Sequence, residues 1–283
     1  MIADSYLRIG ELSRRTGVSV DLLRAWEKRY GLLEPSRSGG GFRLYSDADV
    51  GRIEAMQHHL GAGLAAAEAA RRTLRPAEPE RSAGVVEPAK DELTEALARF
   101  DDAAAHAVLD RLLATLSVDA VLAQVVLPYL HELGEAWERG EASVAQEHFA
   151  SALVRGRLLG LARGWGGGSG PQALLACPPD EQHDLGLIAF GLALRAHGWR
   201  ITYLGQDTPL EAIAEQVERL SPHAVVLAFT RPEEVQAADL APVAKAVPTW
   251  LAGAGASEEL ATKAGARLLS EDPVAAAERV ATT

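Results

Sequence analysis

One cysteine, Cys177, in a chain of 283 residues excludes a disulfide framework and a thiolate zinc cluster, and fits a reducing compartment. No stretch approaches the roughly 18 uncharged apolar residues that a membrane span requires. The opening residues, Met1 to Arg8, lack the basic-then-apolar layout of a signal peptide. Membrane and secreted classes are set aside on these grounds, and a cytoplasmic location is expected. Internal repeats are missing, and so is any constellation of general acid, general base and nucleophile, so the sequence does not read as an enzyme. What is present is ordinary for a globular protein: 48% apolar and 24% charged residues. The length is about twice that of a common domain, which predicts two or three of them.

Positive charge is scarce overall, with a net of -11, but it is unevenly spread: residues 1–75 carry +3 and residues 76–283 carry -14. A basic head on an acidic body suggests one module for a polyanion and another for something else. Two breaks divide the chain. Pro76 to Gly84, followed by Pro88, has no apolar period and reads as a linker over 76–90. Gly164 to Pro171 is too rich in glycine for the interior of an element. Between them, Leu93, Leu97 and Phe100, then Val108, Leu109, Leu112 and Leu113, then Val121 to Leu130 recur at helical spacing, predicting a four-helix bundle over 91–166. Residues 171–283 alternate short apolar runs with helical patterns such as Leu185–Ala196 and Leu210–Leu220, the signature of an α/β domain with a five-stranded parallel sheet of the flavodoxin-like kind. Ligands of such sheets settle at the carboxyl ends of the strands.

The head, 1–75, reads as an all-α winged helix-turn-helix. Ile9–Arg15 predicts a first helix, Gly17 a turn, and Ser19 the cap of a second helix that ends before Gly31. Leu22, Leu23, Trp26 and Tyr30 fall on one face as core, with Arg24 and Lys28 on the other, where phosphates can be met. A glycine tip, Gly39 to Gly41, then leads into a short strand. Arg8-Ile9-Gly10-Glu11-Leu12, Leu23-Arg24-Ala25-Trp26-Glu27-Lys28-Arg29-Tyr30-Gly31-Leu32 and Gly41-Phe42-Arg43-Leu44-Tyr45 closely resemble the DNA-binding domain of the MerR family. That resemblance implies a double-stranded DNA operator as partner, with Arg24, Arg37, Arg43 and Tyr45 as the contacts. MerR-type regulators usually pair through a long helix after the head. Here the helical pattern stops near Arg75, so pairing is expected to come from the body.

In the body, Cys177-Pro178-Pro179-Asp180-Glu181-Gln182-His183-Asp184-Leu185-Gly186 follows the first strand. A histidine there reaches the ligand crevice; Glu181, two residues earlier, is placed to take its other ring N–H, and Gly186 leaves room for a bulky group. In the bundle, a helix is predicted to end at Trp137-Glu138-Arg139 before Gly140, and Ser143 to Gln146 has capping-box spacing, so Trp137, Glu147 and His148 are expected to converge at the end facing the sheet. The combination W-x9-E-H followed by E-x-H-x-x-G, with Tyr203 to Pro209 beyond it, resembles the cobalamin-binding module of the CarH/LitR light-responsive repressors, an arrangement found also in methionine synthase and corrinoid carrier proteins. The resemblance implies His183 as the lower axial ligand of cobalt, with Glu181 behind it. Gly205, Gly253 and Gly255 would lie along the nucleotide tail, and Trp137, Glu147 and His148 would close over a 5′-deoxyadenosyl group. Adenosylcobalamin is then the expected cofactor, and a homo-oligomer, dimer or tetramer, the expected assembly.

Three positions depart from that pattern. Glu138 stands where light-driven members carry a second histidine, Leu227-Ala228-Phe229 where corrinoid domains often carry a serine, and Ala254 between the paired glycines. They keep open a regulator whose body takes another tetrapyrrole or no cofactor; a corrinoid methyl carrier is the third reading.

Overall fold

The computed structural model describes residues 7–33, 35–37, 43–61, 64–73, 79–232 and 235–283. The chain divides into two compact units, Met1–Ala77 and Glu78–Thr283.

In the first unit, α1 (Ile9–Thr16) ends on Gly17 in the left-handed conformation, φ 71°. Helix α2 (Val20–Tyr30) opens where the Ser19 hydroxyl accepts from the Leu22 N–H and closes on Gly31 at φ 64°, as the local sequence predicts. Strands β1 (Ser36–Arg37) and β2 (Arg43–Leu44) pair antiparallel as a wing, and α3 (Asp47–Gly61) and α4 (Ala66–Thr73) follow. Leu12, Leu23, Trp26, Leu32, Tyr45, Ile53 and Met56 form the core. Leu22, expected in it, is 44% exposed. It sits in the first turn, one residue off the Leu23–Trp26 stripe, and its side chain looks outward. The glycine tip of the wing lies outside the described residues.

The second unit starts earlier than expected. Residues 79–90, read as linker, are the first half of α5 (Pro79–Ala98). Pro79 occupies the first helical position, where its missing N–H costs nothing. Val86, Ala89 and Leu93 bury one stripe that holds the helix through Pro88. Helix α6 (Asp102–Thr115) folds back on α5. A continuous third helix consists of α7 (Val118–Val121), a π segment (Leu122–Val126) and α8 (Leu127–Glu138); it widens just before Pro128, with the Leu127 N–H bonded to the Leu122 carbonyl. Helix α9 (Val144–Leu161) completes the bundle, its start fixed by the expected capping box of Ser143 and Gln146.

The sheet runs β4–β3–β5–β6–β7, all parallel, from β3 (Gln172–Ala176), β4 (Arg200–Gly205), β5 (Ala224–Ala228), β6 (Thr249–Ala252) and β7 (Arg267–Leu268). Its helices are α10 (Leu185–Ala196), α11 (Leu210–Leu220), α12 (Ala237–Ala246), α13 (Glu258–Ala264) and α14 (Pro273–Ala281). Alternation sorts the two faces. Ala173, Leu175 and Cys177 join the bundle, α10 and α14 in one core. Leu174 and Ala176 face α11, α12 and α13 in the other. The order places β3 between β4 and β5, so the loop after β3 opens at the switch point. Among the described residues, no helix is long and apolar enough to cross a membrane.

Candidate functional site

The chain leaves β3 at Cys177, whose burial pushes the thiol up to about 12 and whose Sγ lies 3.8 Å from the His183 carbonyl oxygen. The loop then tucks Glu181 under His183. Glu181 is 1% exposed, and both of its carboxylate oxygens are hydrogen-bonded. Its Oε1 accepts from the His183 backbone N–H at 2.6 Å and lies 2.7 Å from His183 Nδ1. Its Oε2 accepts from the Thr230 hydroxyl at 2.7 Å and from the Thr230 backbone N–H. Burial alone would raise the Glu181 pKa, but these donors outweigh it and hold the carboxyl below its ordinary value.

An ionised carboxylate only accepts, so Nδ1 donates to Glu181, and in the neutral ring the free lone pair is then on Nε2. The His183 side chain is 65% exposed at the carboxyl edge of the sheet, and its Nδ1 side is held from behind by a buried anion. This is the arrangement of a metal-ligating histidine with its supporting carboxylate. Thr230, just past β5 and 3.3 Å from Nδ1, completes it. Sequence reasoning missed Thr230, having looked for a hydroxyl at 227–229, one residue too early.

The glycines divide. A Cβ at Gly205, which has φ 101°, meets nothing within 4 Å, and one at Gly186 meets only Pro273 at 3.8 Å, so both leave the expected room. Gly253 and Gly255 instead lie against the neighbouring loop. At Gly253, with φ 90°, a Cβ would run into the Phe229 carbonyl, and at Gly255 it would stand 2.7 Å from the Arg231 nitrogen. Their want of a side chain is taken up by the packing of residues 229–231 against 253–255.

Trp137, at the end of α8, is 49% exposed and free of the core. Glu147 and His148 open α9 as expected. Glu147 accepts from the Ser151 hydroxyl at 2.6 Å, and the exposed His148 lies 3.6 Å from Glu147.

Among the described residues no group of three or more His, Cys, Asp or Glu is placed to hold a metal. A lone imidazole is too few for a bare ion. It suits a metal that brings its own equatorial ligands and needs one axial donor, and the open space at Gly186 and Gly205 suits a large planar group there. At His183 the residues therefore fit a metallated macrocycle.

On the head, Arg24 and Lys28 are exposed on α2, opposite Leu23 and Trp26. Arg43 is exposed in the wing, its Nε 3.0 Å from Glu27. Tyr45, expected as a DNA contact, is fully buried, and its hydroxyl donates to Glu27 at 2.8 Å. Burial first, and Glu27 second, push its phenol well above the ordinary range. Arg43 and Tyr45, two residues apart, share one face of the strand, and both reach Glu27; Tyr45, bridged to Leu7, is packed into the core of the head while the longer Arg43 stays at its surface. Glu27, unremarked in the sequence, thus ties the wing to α2 through both oxygens. The Arg37 side chain lies outside the described residues.

Comparison with known proteins divides along the same lines. Residues 7–74 match the MerR HTH family regulatory protein, and residues 89–159 match a B12 binding domain. The HTH-type transcriptional repressor CarH of Myxococcus xanthus is 33% identical over 90% of this chain and 91% of its own length. The repressor CarA of the same organism is 34% identical over 90% and 88%. The monomethylamine corrinoid protein of Methanosarcina barkeri, 17% identical, covers 69% of this chain and 98% of its own with a TM-score of 0.59, a likeness of fold.

Proposed function

We propose a function from one premise: the chain belongs to the family of HTH-type transcriptional repressors, CarH and CarA among them, that join a MerR-type helix-turn-helix to a B12-binding domain. In this reading the protein is a repressor, not a catalyst, and a corrinoid held by His183 sets its hold on an operator. The observation that carries it is the His183 side chain, 65% exposed and gripped at Nδ1 by a buried carboxylate. Bound there, a corrinoid supplies an axial cobalt site and, in adenosylcobalamin, a cobalt–carbon bond that light can break. The chain's own part is to present the imidazole, to leave room at Gly186 and Gly205, and to offer the indole of Trp137 with Glu147 and His148 to the other face. Adenosylcobalamin is the proposed form. DNA affinity is then a matter of assembly: heads held together in a dimer or tetramer bind at high effective concentration, where one +3 head binds weakly.

Glu138 bears on the light response. With a glutamate and no imidazole in that position, residue 138 would offer no second nitrogen donor to a cobalt held by His183, and any light response would rest on the cobalt–carbon bond that the cofactor would supply. Size-exclusion runs and operator gel shifts with adenosylcobalamin, in darkness and after green light, test this. A larger species that binds operator in the dark and falls apart in light is expected; identical elution and binding in every condition refutes it. The close packing of Gly253 and Gly255 on residues 229–231 favours a second reading, a tetrapyrrole held at His183 with no nucleotide tail buried in the sheet. Cobinamide, which lacks that tail, would then bind as tightly as cobalamin.

A further inference from the structure

Asp184, the residue after His183, is 1% exposed and carries no part of the site described above. It is held from two directions. Arg155, on α9 of the bundle, grips it in a fork, with Nε 3.0 and 2.8 Å from its two oxygens and Nη2 at 2.8 Å. Tyr203, on β4, donates its hydroxyl to Oδ2. The Asp184 backbone carbonyl meanwhile accepts from the Ile188 N–H at the start of α10. Bundle, first sheet helix and neighbouring strand thus meet at one buried carboxylate that is covalently next to the exposed imidazole. The desolvation of such a carboxylate is tolerated only while its donors are in place.

The direction of α9 gives the contact a consequence. After α9 the chain returns through Trp165 and Pro171, whose carbonyls accept from Ile201 and Arg200 at the amino end of β4. Helix α9 therefore runs from the carboxyl edge of the sheet down toward its amino edge, and Arg155 meets Asp184, in the loop at the carboxyl end of β3. Ser151 and Glu147, four and eight residues earlier, share the Arg155 face, and each turn adds about 5.4 Å. They overhang the His183 edge by one and two turns, with Ser151 holding Glu147 at 2.6 Å.

We propose that Arg155, Asp184 and Tyr203 form a latch that seats the bundle over the His183 edge, and that ligation at His183 and the seat of α9 strengthen each other through it. Arg155 is a positioning residue: it acts on a bound group through Asp184 and through the face of α9 it anchors. The proposal rests on corrinoid ligation at His183. Coupling is reciprocal by linkage, so a latch that aids binding must itself be tightened by it.

The test uses the full chain, hydroxocobalamin as probe, and two readouts: amide hydrogen exchange over 144–161, and affinity from absorption titration. In the wild type, hydroxocobalamin slows exchange over 144–151. R155M is expected to exchange faster there without ligand, to bind about tenfold or more weakly, and to gain no protection on binding; R155K, which keeps the charge and loses the fork, falls between. Should R155M fail to fold, R155K and Y203F carry the same two readouts, with a smaller loss in each. A folded variant with wild-type affinity and wild-type protection overturns the latch. A wild type that takes up no hydroxocobalamin refutes the corrinoid reading itself, and the coupling with it.

Discussion

Replacing Glu181 by glutamine keeps the shape of the side chain and removes only its charge and half its capacity to accept. Four donors converge on the carboxylate, two from His183 and two from Thr230. A glutamine offers one oxygen and one NH2 group, so two of the four face a donor. Hydrogen bonds to a charged group are each worth about 1.5–3 kcal/mol, and buried donors left unmade cost more than the bond itself. The imidazole loses the acceptor that fixes its tautomer, and such losses behind a metal ligand lower affinity by roughly 10–100-fold. E181Q is therefore expected to bind hydroxocobalamin in that range below wild type. The pH dependence gives a second readout. The folded Glu181 pKa is lowered, so its contribution to stability is fully present above the unfolded value of ~4.3 and is lost as pH falls through the folded one. Melting temperatures between pH 3 and 7 should lose part of their acid-side slope in E181Q. Unchanged affinity together with an unchanged slope would refute the role given to this carboxylate.

Thr230→Val removes one neutral hydroxyl and keeps the backbone N–H, so its effect on hydroxocobalamin binding is smaller, about 1 kcal/mol. Gly253→Ala forces a Cβ at φ 90° into the Phe229 carbonyl; it should lower stability by about 1–3 kcal/mol, seen as an earlier melting step. In the head, Arg24→Ala and Arg43→Ala should each reduce the salt slope of operator binding by about 1 if each meets a phosphate. Tyr45→Phe should leave that slope unchanged while costing about 1.5–3 kcal/mol of stability, because its hydroxyl donates to the Glu27 carboxylate rather than to DNA.

What was legible in the sequence was what is decided within a few residues. Ser19, Gly31 and the Ser143–Gln146 capping box mark helix ends by local hydrogen bonding, and the structure places them as read. The strand-and-helix alternation after residue 171 gave the five parallel strands, because a sheet covered on both faces demands short apolar runs. Glu181 beneath His183 was legible because the two are two residues apart. The failures are of two kinds. At 79–90 the prolines were given more weight than the Val86–Ala89–Leu93 stripe, though Pro79 opens a helix harmlessly and Pro88 is carried by packing. Tyr45 shares a motif with Arg43, but its burial is decided by tertiary packing, the bridge to Leu7 and the bond to Glu27, which a local pattern does not contain. The contacts that complete the site, Thr230 with Glu181 and Arg155 with Asp184, span 49 and 29 residues and close only when the sheet and bundle are assembled.

Whether the imidazole of His183 binds cobalt can be asked directly by electron paramagnetic resonance of the protein loaded with cob(II)alamin after growth on 15N-labelled histidine. The unpaired electron then couples to whichever nitrogen lies beneath the metal. Replacement of the triplet splitting of ordinary nitrogen by the doublet of the label is the result expected here. A triplet that persists in the labelled protein, with the vitamin's own base still in place, contradicts it.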